Sequence, residues 1–325
     1  MKRVRWGVIS TAEIAQTQVI PAILRSENAE LVGIASRGSK AKEIAENLTV
    51  PFAYDSYEKL LANPEIDAVY IPLPNHLHKN WVIEAAKAGK HVLVEKPAAL
   101  TAEEAEEMIE YCRKENVKFM EAFMYQFHPQ HERVREILAS GELGEIKFMR
   151  AGFSYFLEDR QSNIRMKKEM GGGSIYDIGC YCIHSIRYLL ESEPVTIKAF
   201  AEIDPQTNID LAAIVHMELE NGIRCVFDSS FDMAFRNEYE IVGTKDRLTV
   251  PYAYRPDVME QDAVIRIGDR TERIAGDSYK VQIEHFSKVI LEDSEPSYSG
   301  IKTLQNMRVI DACYRSIEEK RVVSL

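Results

Sequence analysis

The stretch that decides the fold is residues 68–97, which read AVYIPLPNHLHKNWVIEAAKAGKHVLVEKP. The apolar run Ala68–Leu73 precedes an alanine-rich helical pattern over Asn80–Ala88. Gly89 is placed as a C-cap for that helix, and a second apolar run, His91–Val94, follows it. Short apolar runs bounded by turn residues are typical of buried strands. A strand, a helix and a strand in this order predict a βαβ unit with parallel strands.

The same alternation extends to both sides of this unit. Further apolar runs cover Val4–Ser10, Leu31–Ser36 and Lys118–Phe123. Helical patterns cover Lys40–Leu48 and a segment from Thr101 to about Lys114, where Thr101 and Glu104 have capping-box spacing. We therefore predict an α/β fold with a Rossmann-type, doubly wound parallel sheet over residues 1–123. Right-handed crossovers place its ligand crevice at the carboxyl ends of the strands.

In residues 124–325, by contrast, strands follow strands. The β-type runs are Glu145–Phe156, Val195–Ile203, Asp210–Glu220, Ile223–Phe231, Glu238–Val242 and Arg247–Val250. Asn221-Gly222 between two of these runs is a strong hairpin signal. We predict a C-terminal α+β domain for substrate binding and oligomerisation, with a large, mostly antiparallel open sheet. Helical spacing predicts a bridge over His128–Ala139 and a last helix over Ile301–Lys320, which we expect to pack back on the first domain.

Composition excludes several classes of partner. The chain has 325 residues and a net charge of -11, which argues against binding nucleic-acid phosphates. No apolar run reaches the roughly 18 residues of a membrane span, and no secretory pattern opens the sequence. The five cysteines form no C-x-x-C pair, which predicts reduced thiols in the cytoplasm. His76 and His78, interpreted as alternating on an extended segment, have no third ligand, so no metal site is predicted.

The turns after the predicted parallel strands carry the candidate cofactor residues. The turn Ser10–Ala15 takes the place of a G-x-G-x-x-G/A phosphate loop, although only Ala15 matches the pattern outright. Ser36-Arg37 occupies the position where NAD-binding folds usually carry an acid, and a hydroxyl with a guanidinium suits a 2′-phosphate. This predicts NADP, with NAD as the alternative; an ordinary turn and a solvated basic loop are the structural alternatives. The candidates here are Ser10, Thr11, Ala12, Ile14, Ser36, Arg37, Leu73, Asn75, His78, Glu95 and Lys96.

Three motifs resemble one known family. They are Pro72–His78, Glu95-Lys96-Pro97 and the run GGGSIYDIGCYCIH over 171–184. In this order they are similar to the glucose–fructose oxidoreductase / inositol dehydrogenase family (Gfo/Idh/MocA), and the resemblance covers nearly the whole chain. Tyr181 in D-I-G-x-Y resembles the branch of the xylose dehydrogenases and the dimeric dihydrodiol dehydrogenase. The resemblance implies an NAD(P)-dependent oxidoreductase, a homodimer or homotetramer, and a place near the cofactor for Arg165.

Hydride transfer needs a group that moves a proton at the substrate oxygen. Lys96, at a strand end, is predicted to hydrogen-bond that oxygen, and Tyr181 to exchange the proton. Asp177 lies four residues before Tyr181 on one helix face and is predicted to bind a substrate hydroxyl or to orient Lys96. The alternatives without a catalytic role are that Lys96 is a surface residue, that Tyr181 packs in the core and that Asp177 stabilises the start of its helix. The candidates for substrate contact are His184, Tyr125 and Tyr155.

These features predict an oxidoreductase that transfers a hydride between NADP(H) and a CH–OH or C=O group of a sugar, polyol or diol. One alternative is a trans-dihydrodiol or dicarbonyl oxidoreductase. Another is a non-catalytic, NADP-binding sensor or regulator. The presence of both Lys96 and Tyr181 favours the enzyme.

Overall fold

The computed structural model describes residues 2–258 and 262–325. They form two compact units, Met1–Met124 with Ser278–Met307, and Tyr125–Asp277 with Arg308–Leu325. The predicted boundary assigned all of 124–325 to the second domain, whereas residues 278–307 belong to the first unit. Their side chains complete its core, because the Trp6 indole donates to Ser287 Oγ at 3.1 Å and its ring packs against Phe286.

The first unit is built on the predicted doubly wound sheet. Its strands are β1 Val4–Ile9, β2 Ala29–Ala35, β3 Phe52–Tyr54, β4 Ala68–Ile71, β5 His91–Val94 and β6 Phe119–Glu121. All neighbours pair in parallel in the order β3-β2-β1-β4-β5-β6. The strand order reverses between β1 and β4, the switch point at which open α/β sheets bind ligands. The short strand β3 was not predicted.

Helices connect these strands. They are α1 Ile20–Arg25, entered from a π-helical turn Ala15–Val19, and α2 Lys40–Leu48, α3 Tyr57–Leu61, α4 Asn75–Lys87 and α5 Ala102–Lys114. The Thr101 cap is confirmed, since its Oγ1 accepts from Glu104 N at 3.1 Å. The prediction that His76 and His78 alternate on an extended segment was wrong, because α4 begins at Asn75 and both lie on it. Pro74 precedes the helix, where its missing N–H costs no hydrogen bond.

The second unit contains a nine-stranded sheet, mostly antiparallel as predicted. Its strands are β7 Ile146–Phe156, β8 Pro194–Ile203, β9 Asp210–Leu219, β10 Arg224–Ser230, β11 Asp232–Gly243, β12 Arg247–Val250, β13 Ala263–Ile267, β14 Arg270–Ile274 and β15 Val323–Ser324. Their order is β14-β13-β12-β11-β7-β10-β9-β8-β15, and β7 and β10 pair in parallel. The hairpin at Asn221-Gly222 is confirmed between β9 and β10. The last three strands were not predicted.

Two of the helices lie wholly in the second unit. They are α6 Pro129–Ser140 and α7 Cys180–Leu190, the latter entered from a π-helical turn Ile175–Gly179 and packed against β7 and β10. The helix α8 Ser278–Glu292 lies in the first unit, whereas α9 Gly300–Glu319 belongs to both units. The start of α9 lies in the first unit, where Gly300 approaches Ile109 of α5. Within the described ranges, no helix combines the length and the apolar character needed to cross a bilayer.

Candidate active site

The predicted cofactor turns of the first unit lie along one edge of its sheet. Ser10 follows β1, and its backbone N–H donates to Ala35 O of β2 at 3.0 Å. Glu95 follows β5, and its backbone N–H donates to Ile71 O of β4 at 3.1 Å. Parallel strands end on the same side of a sheet, so these turns form the carboxyl edge where a dinucleotide is bound in such folds.

The turn after β1 is sharp although it lacks the first glycine of the usual pattern. Ser10 has φ +121°, a region that L-residues rarely adopt. Its Oγ accepts from Ala12 N at 3.1 Å, which holds the turn. Gln16 Nε2 donates to Thr11 O at 2.8 Å and braces the loop from the following helix. Thr11, Ala12 and Ile14 are half-buried along this edge.

The turn after β2 presents a basic side chain to solvent. Ser36 is buried, and its Oγ accepts from Ala41 N at 2.8 Å, so this hydroxyl secures the start of α2. Arg37 is exposed and lies close enough to Tyr57 for its charge to act on the phenol. Burial is the main cause that raises the pKa of Tyr57, and the charge of Arg37 opposes it. The exposed guanidinium is therefore the group of this turn that is available to an anionic ligand.

The turn that carries Lys96 is held by two carboxylates. Glu95 Oε1 accepts from Tyr70 OH at 2.6 Å, and its Oε2 accepts from the backbone N–H of Lys96 at 3.3 Å. The fully buried Glu121 accepts from Ala98 N at 2.9 Å through Oε1. The Lys96–Pro97 bond is cis, and Lys96 is half-buried. Lys96 thus projects from a backbone that is fixed on both sides.

His78 was predicted to contact the cofactor, and the structure places its ring in the core between two backbone carbonyls. Its ring has no exposed surface, Nε2 lies 2.7 Å from Leu73 O, and Nδ1 lies 3.0 Å from Pro97 O. Burial lowers the pKa of His78 to about 4. The ring therefore ties the turn after β4 to the turn after β5 and is not available to a ligand.

In the second unit, Asp177 is bound by two of the predicted residues. Tyr155 OH donates to Asp177 Oδ2 at 2.7 Å, and Arg165 Nε donates to the same oxygen at 2.9 Å. The Asp177 charge is the leading cause that raises the pKa of Arg165. Burial, followed by the same charge, raises the pKa of Tyr155. Arg165, predicted to lie near the cofactor, binds this carboxylate through Nε.

The glycine run 171–173 explains how Arg165 reaches Asp177. A Cβ on Gly172 would lie 2.5 Å from Arg165 O, closer than real contacts allow. Gly173 has φ +125°, and its N–H donates to Arg165 O at 3.0 Å. The run therefore lets the Arg165 backbone cross directly beside the start of the helix that carries Asp177.

Tyr181 follows the change from π-helical to α-helical winding, marked by the Cys180 N–H bond to Ile175 O. Such single π-turns occur frequently at functional sites. Tyr181 is 7% exposed, and its ring packs against those of Phe153 and Tyr254. Its ring is thus fixed in an aromatic cluster while part of its surface stays accessible.

Tyr125 and His184, predicted to contact substrate, both lie in the core. Tyr125 is fully buried and His184 is 1% exposed. The Tyr125 hydroxyl and His184 Nδ1 are 2.5 Å apart, and the Tyr125 ring packs edge-on against His131 and Tyr254. Both side chains support the Tyr181 cluster from within the core. Tyr155, half-buried, stays at the surface of this unit beside Asp177.

Tyr70 and Glu121 were not predicted as site residues. Glu121 lies within the apolar run Lys118–Phe123, and a carboxylate inside an apolar strand is the sequence signal that could have identified it. Tyr70 has no such signal, because its role depends on the pairing of β4 with β5. Over residues 2–258 and 262–325 no cluster of three or more potential metal ligands occurs.

Two family models match the chain, one in its first half and one in its second. The Gfo/Idh/MocA model described as an oxidoreductase family with an NAD-binding Rossmann fold matches residues 4–123. The Gfo/Idh/MocA C-terminal domain matches residues 131–249.

Individual relatives extend over most of the chain. The chain is 37% identical over 325 residues to a D-xylose 1-dehydrogenase (NADP(+)) of Haloferax volcanii, covering 98% of this chain and 99% of the relative. It is 33% identical over 252 residues to a trans-1,2-dihydrobenzene-1,2-diol dehydrogenase of Xenopus tropicalis, covering 76% and 75% of the two chains. A 3-ketoreductase from Actinomadura kijaniata, solved with NADP and TDP-benzene, superimposes with a TM-score of 0.89 at 29% identity, covering 97% and 98%.

Proposed function

We propose that this chain transfers a hydride between NADP(H) and a CH–OH or C=O group of a sugar, polyol or diol. The premise is that the chain belongs to the glucose–fructose oxidoreductase / inositol dehydrogenase family and is an NAD(P)-dependent oxidoreductase. The observation that carries the proposal is the fixed turn around Lys96, held by Glu95 and Glu121. A surface lysine needs no such support, whereas a group that serves a reacting atom must be held in place.

The residues at the carboxyl edge fit NADP. The sharp turn at Ser10 leaves Thr11 and Ala12 half-buried beside the strand ends, and Arg37 offers an exposed guanidinium. We propose that the first turn holds the pyrophosphate and that Arg37 binds the 2′-phosphate. The NADP named for the xylose dehydrogenase relative and bound in the 3-ketoreductase supports this choice.

Replacement of Arg37 tests the cofactor assignment. Arg37→Ala should weaken NADPH binding by about 1–3 kcal/mol, the range of hydrogen bonds to charged groups, and NADH binding very little. Titration of nicotinamide fluorescence gives both dissociation constants. Lys42→Ala, at an exposed position of the following helix, is the matched control. An equal loss for both cofactors would exclude the 2′-phosphate role.

Three side chains carry the proposed chemistry. The nicotinamide, when bound, supplies or accepts the hydride. Lys96 hydrogen-bonds the reacting oxygen and stabilises negative charge that develops on it. Tyr181 gives a proton to that oxygen in reduction and removes it in oxidation. Asp177, held by Tyr155 and Arg165, presents a fixed carboxylate that accepts from a substrate hydroxyl.

The substrate class is tested by nicotinamide absorbance with a panel of aldoses, polyols and diols. We expect turnover with aldoses, because the xylose dehydrogenase relative matches the chain over almost its full length. A second candidate, a trans-dihydrodiol substrate, is favoured by the 33% identical diol dehydrogenase. Turnover with the dihydrodiol alone would establish that candidate. Tight NADPH binding without turnover of any compound would instead identify a sensor or regulator.

The outer face of the nine-stranded sheet supports a homo-oligomer. α7 covers the other face, at β7 and β10. On the outer face Phe156 is 59% exposed, Phe200 63% and Ile214 57%. Large apolar side chains concentrated on one sheet face are typical of an interaction surface. We propose that two copies bury this face in a homodimer, or four in a homotetramer.

Light scattering at micromolar concentration tests this assembly. Ile214→Asp places a charge on the outer face and should shift the protein toward the monomer. Leu24→Asp, at an exposed apolar position of α1 in the first unit, is the control. A monomeric wild type would refute the proposal.

The cytoplasm is the proposed compartment. None of the five cysteines, all within the described ranges, forms a disulfide, and each is buried. A reducing compartment keeps thiols in this state. Cell fractionation should therefore recover the protein with the soluble cytoplasmic marker enzymes.

A further inference from the structure

A buried carboxylate stands at the start of the helix that carries Asp177 and Tyr181. Asp210 is the first residue of β9 and is 1% exposed. Its Oδ2 accepts from the backbone N–H of Ile175 at 2.7 Å and from Ser174 Oγ at 2.8 Å. Its Oδ1 accepts from Tyr314 OH of α9 at 2.8 Å.

This arrangement fixes the helix from outside its own sequence. The first N–H groups of a helix need acceptors, and an N-cap side chain usually supplies one. The side chain of the N-cap residue Ser174 accepts no hydrogen bond from these N–H groups. Asp210 takes over the task from a strand about 35 residues further along, so the start of the helix is set by the sheet. Burial alone raises the pKa of Asp210, and the three donors oppose that rise.

Gly173 connects this carboxylate to the rest of the site. A Cβ at this position would lie 2.2 Å from Asp210 Oδ1 and 2.8 Å from Tyr314 OH. The same residue donates its N–H to Arg165 O, and Arg165 Nε binds Asp177. The contacts of Asp210 and those of Arg165 therefore meet at one glycine, and together they determine where Asp177 stands.

We propose that Asp210, Ser174 and Tyr314 form a positioning clamp that sets the orientation of Asp177 and Tyr181 for catalysis. The clamp rests on the proposed function, because it acts only through these two residues. Asp210 itself is a positioning residue, since it is enclosed by protein donors and leaves no surface for a ligand.

Asp210→Asn tests the clamp, because the amide replaces one acceptor oxygen with a donor that faces other donors. We expect kcat per NADPH-binding site to fall by about 10–10²-fold, as small misplacements of reacting groups do. We expect KM for the substrate to rise, while the dissociation constant of NADPH stays unchanged. Tyr314→Phe removes one of the three donors and should show the same pattern to a smaller extent.

Ser316→Ala is the matched control on α9. Ser316 Oγ accepts from Ala199 N at 3.0 Å and donates to Arg321 O at 2.7 Å, so its loss removes buried hydrogen bonds without touching the clamp. A purely structural role would lower the melting temperature in all three variants and leave kcat per binding site and KM unchanged. If Asp210→Asn and Tyr314→Phe behave like Ser316→Ala in kcat and KM, the clamp is refuted.

Hydrogen exchange separates the clamp from the proposed function. The peptide that contains Ile175 should exchange faster in Tyr314→Phe, and in Asp210→Asn if it folds, than in Ser316→Ala. A wild type without turnover refutes the proposed function, and faster exchange in that case still supports the mechanical clamp. Unchanged exchange in a folded clamp variant overturns the clamp whatever the wild type catalyses.

Discussion

The turn around Lys96 and the helix start around Asp177 are held in different ways. In the first unit, the supporting side chains bind backbone atoms: His78 lies against Leu73 O and Pro97 O, and Glu121 accepts from Ala98 N. In the second unit, side chains bind the functional side chain itself, since Tyr155 and Arg165 both donate to Asp177.

The difference has a physical consequence. Contacts with the backbone fix where the Lys96 side chain begins. Contacts with the Asp177 carboxylate fix the charge itself, so its direction is determined before substrate arrives. Loss of one supporting group should therefore matter less for the Lys96 turn than for Asp177.

Removal of the reacting side chains gives the largest expected effect. Lys96→Met should lower kcat by about 10²–10⁴-fold, the range for acid–base groups, with NADPH affinity nearly unchanged. Tyr181→Phe should be milder, because Lys96 can supply the proton alone. The double variant should lose less than the product of the two losses, since the residues act as a unit. Lys87→Met, at an exposed position of α4, is the control. Near-normal turnover in Lys96→Met would contradict the mechanism.

The backbone-directed support should be visible as a pH dependence of stability. The pKa of His78 is lowered from 6.5 to about 4, so the folded protein disfavours its protonation. Stability should be fully present above pH 6.5 and lost as the pH falls toward about 4, by on the order of 3 kcal/mol from this group. His78→Gln should flatten this part of the curve of unfolding free energy against pH.

A pair of tyrosine variants compares the two regions directly. Tyr155→Phe removes one of the two donors that bind Asp177 and should lower kcat/KM by about tenfold, the effect of losing a hydrogen bond to a charged group. Tyr70→Phe removes a donor from Glu95, but His78 and Glu121 still hold the turn, so its loss should be smaller. Steady-state kinetics of both variants measure the contrast. A larger loss in Tyr70→Phe would reverse our view of the two regions.

The sequence predicts what depends on local pattern. The parallel sheet follows from apolar runs bounded by turns, and the cap at Thr101 follows from its spacing to Glu104. The strands β13 and β14 were not predicted, because their apolar patterns are short. The helix α8 was not predicted, because its sequence has no clear capping residues. The contact of Asp210 with Ile175 could not be predicted, because a strand and a helix 35 residues apart meet only in the folded sheet.

Ser10→Gly gives the smallest expected effect and concerns a strained position in the turn after β1. Ser10 has φ +121°, which costs a side-chain-bearing residue about 1–3 kcal/mol. Glycine removes that strain but also the Oγ bond to Ala12 N, worth about 0.5–1.5 kcal/mol. We therefore expect a net stabilisation of about 1 kcal/mol in urea unfolding, with NADPH affinity retained. Ser10→Ala keeps the strain and loses the bond, so it should destabilise the protein. If Ser10→Gly is as destabilised as Ser10→Ala, the hydrogen bond of the Ser10 hydroxyl contributes more free energy than the backbone strain costs. The turn would then be held by a side-chain hydrogen bond, as Asp177 is.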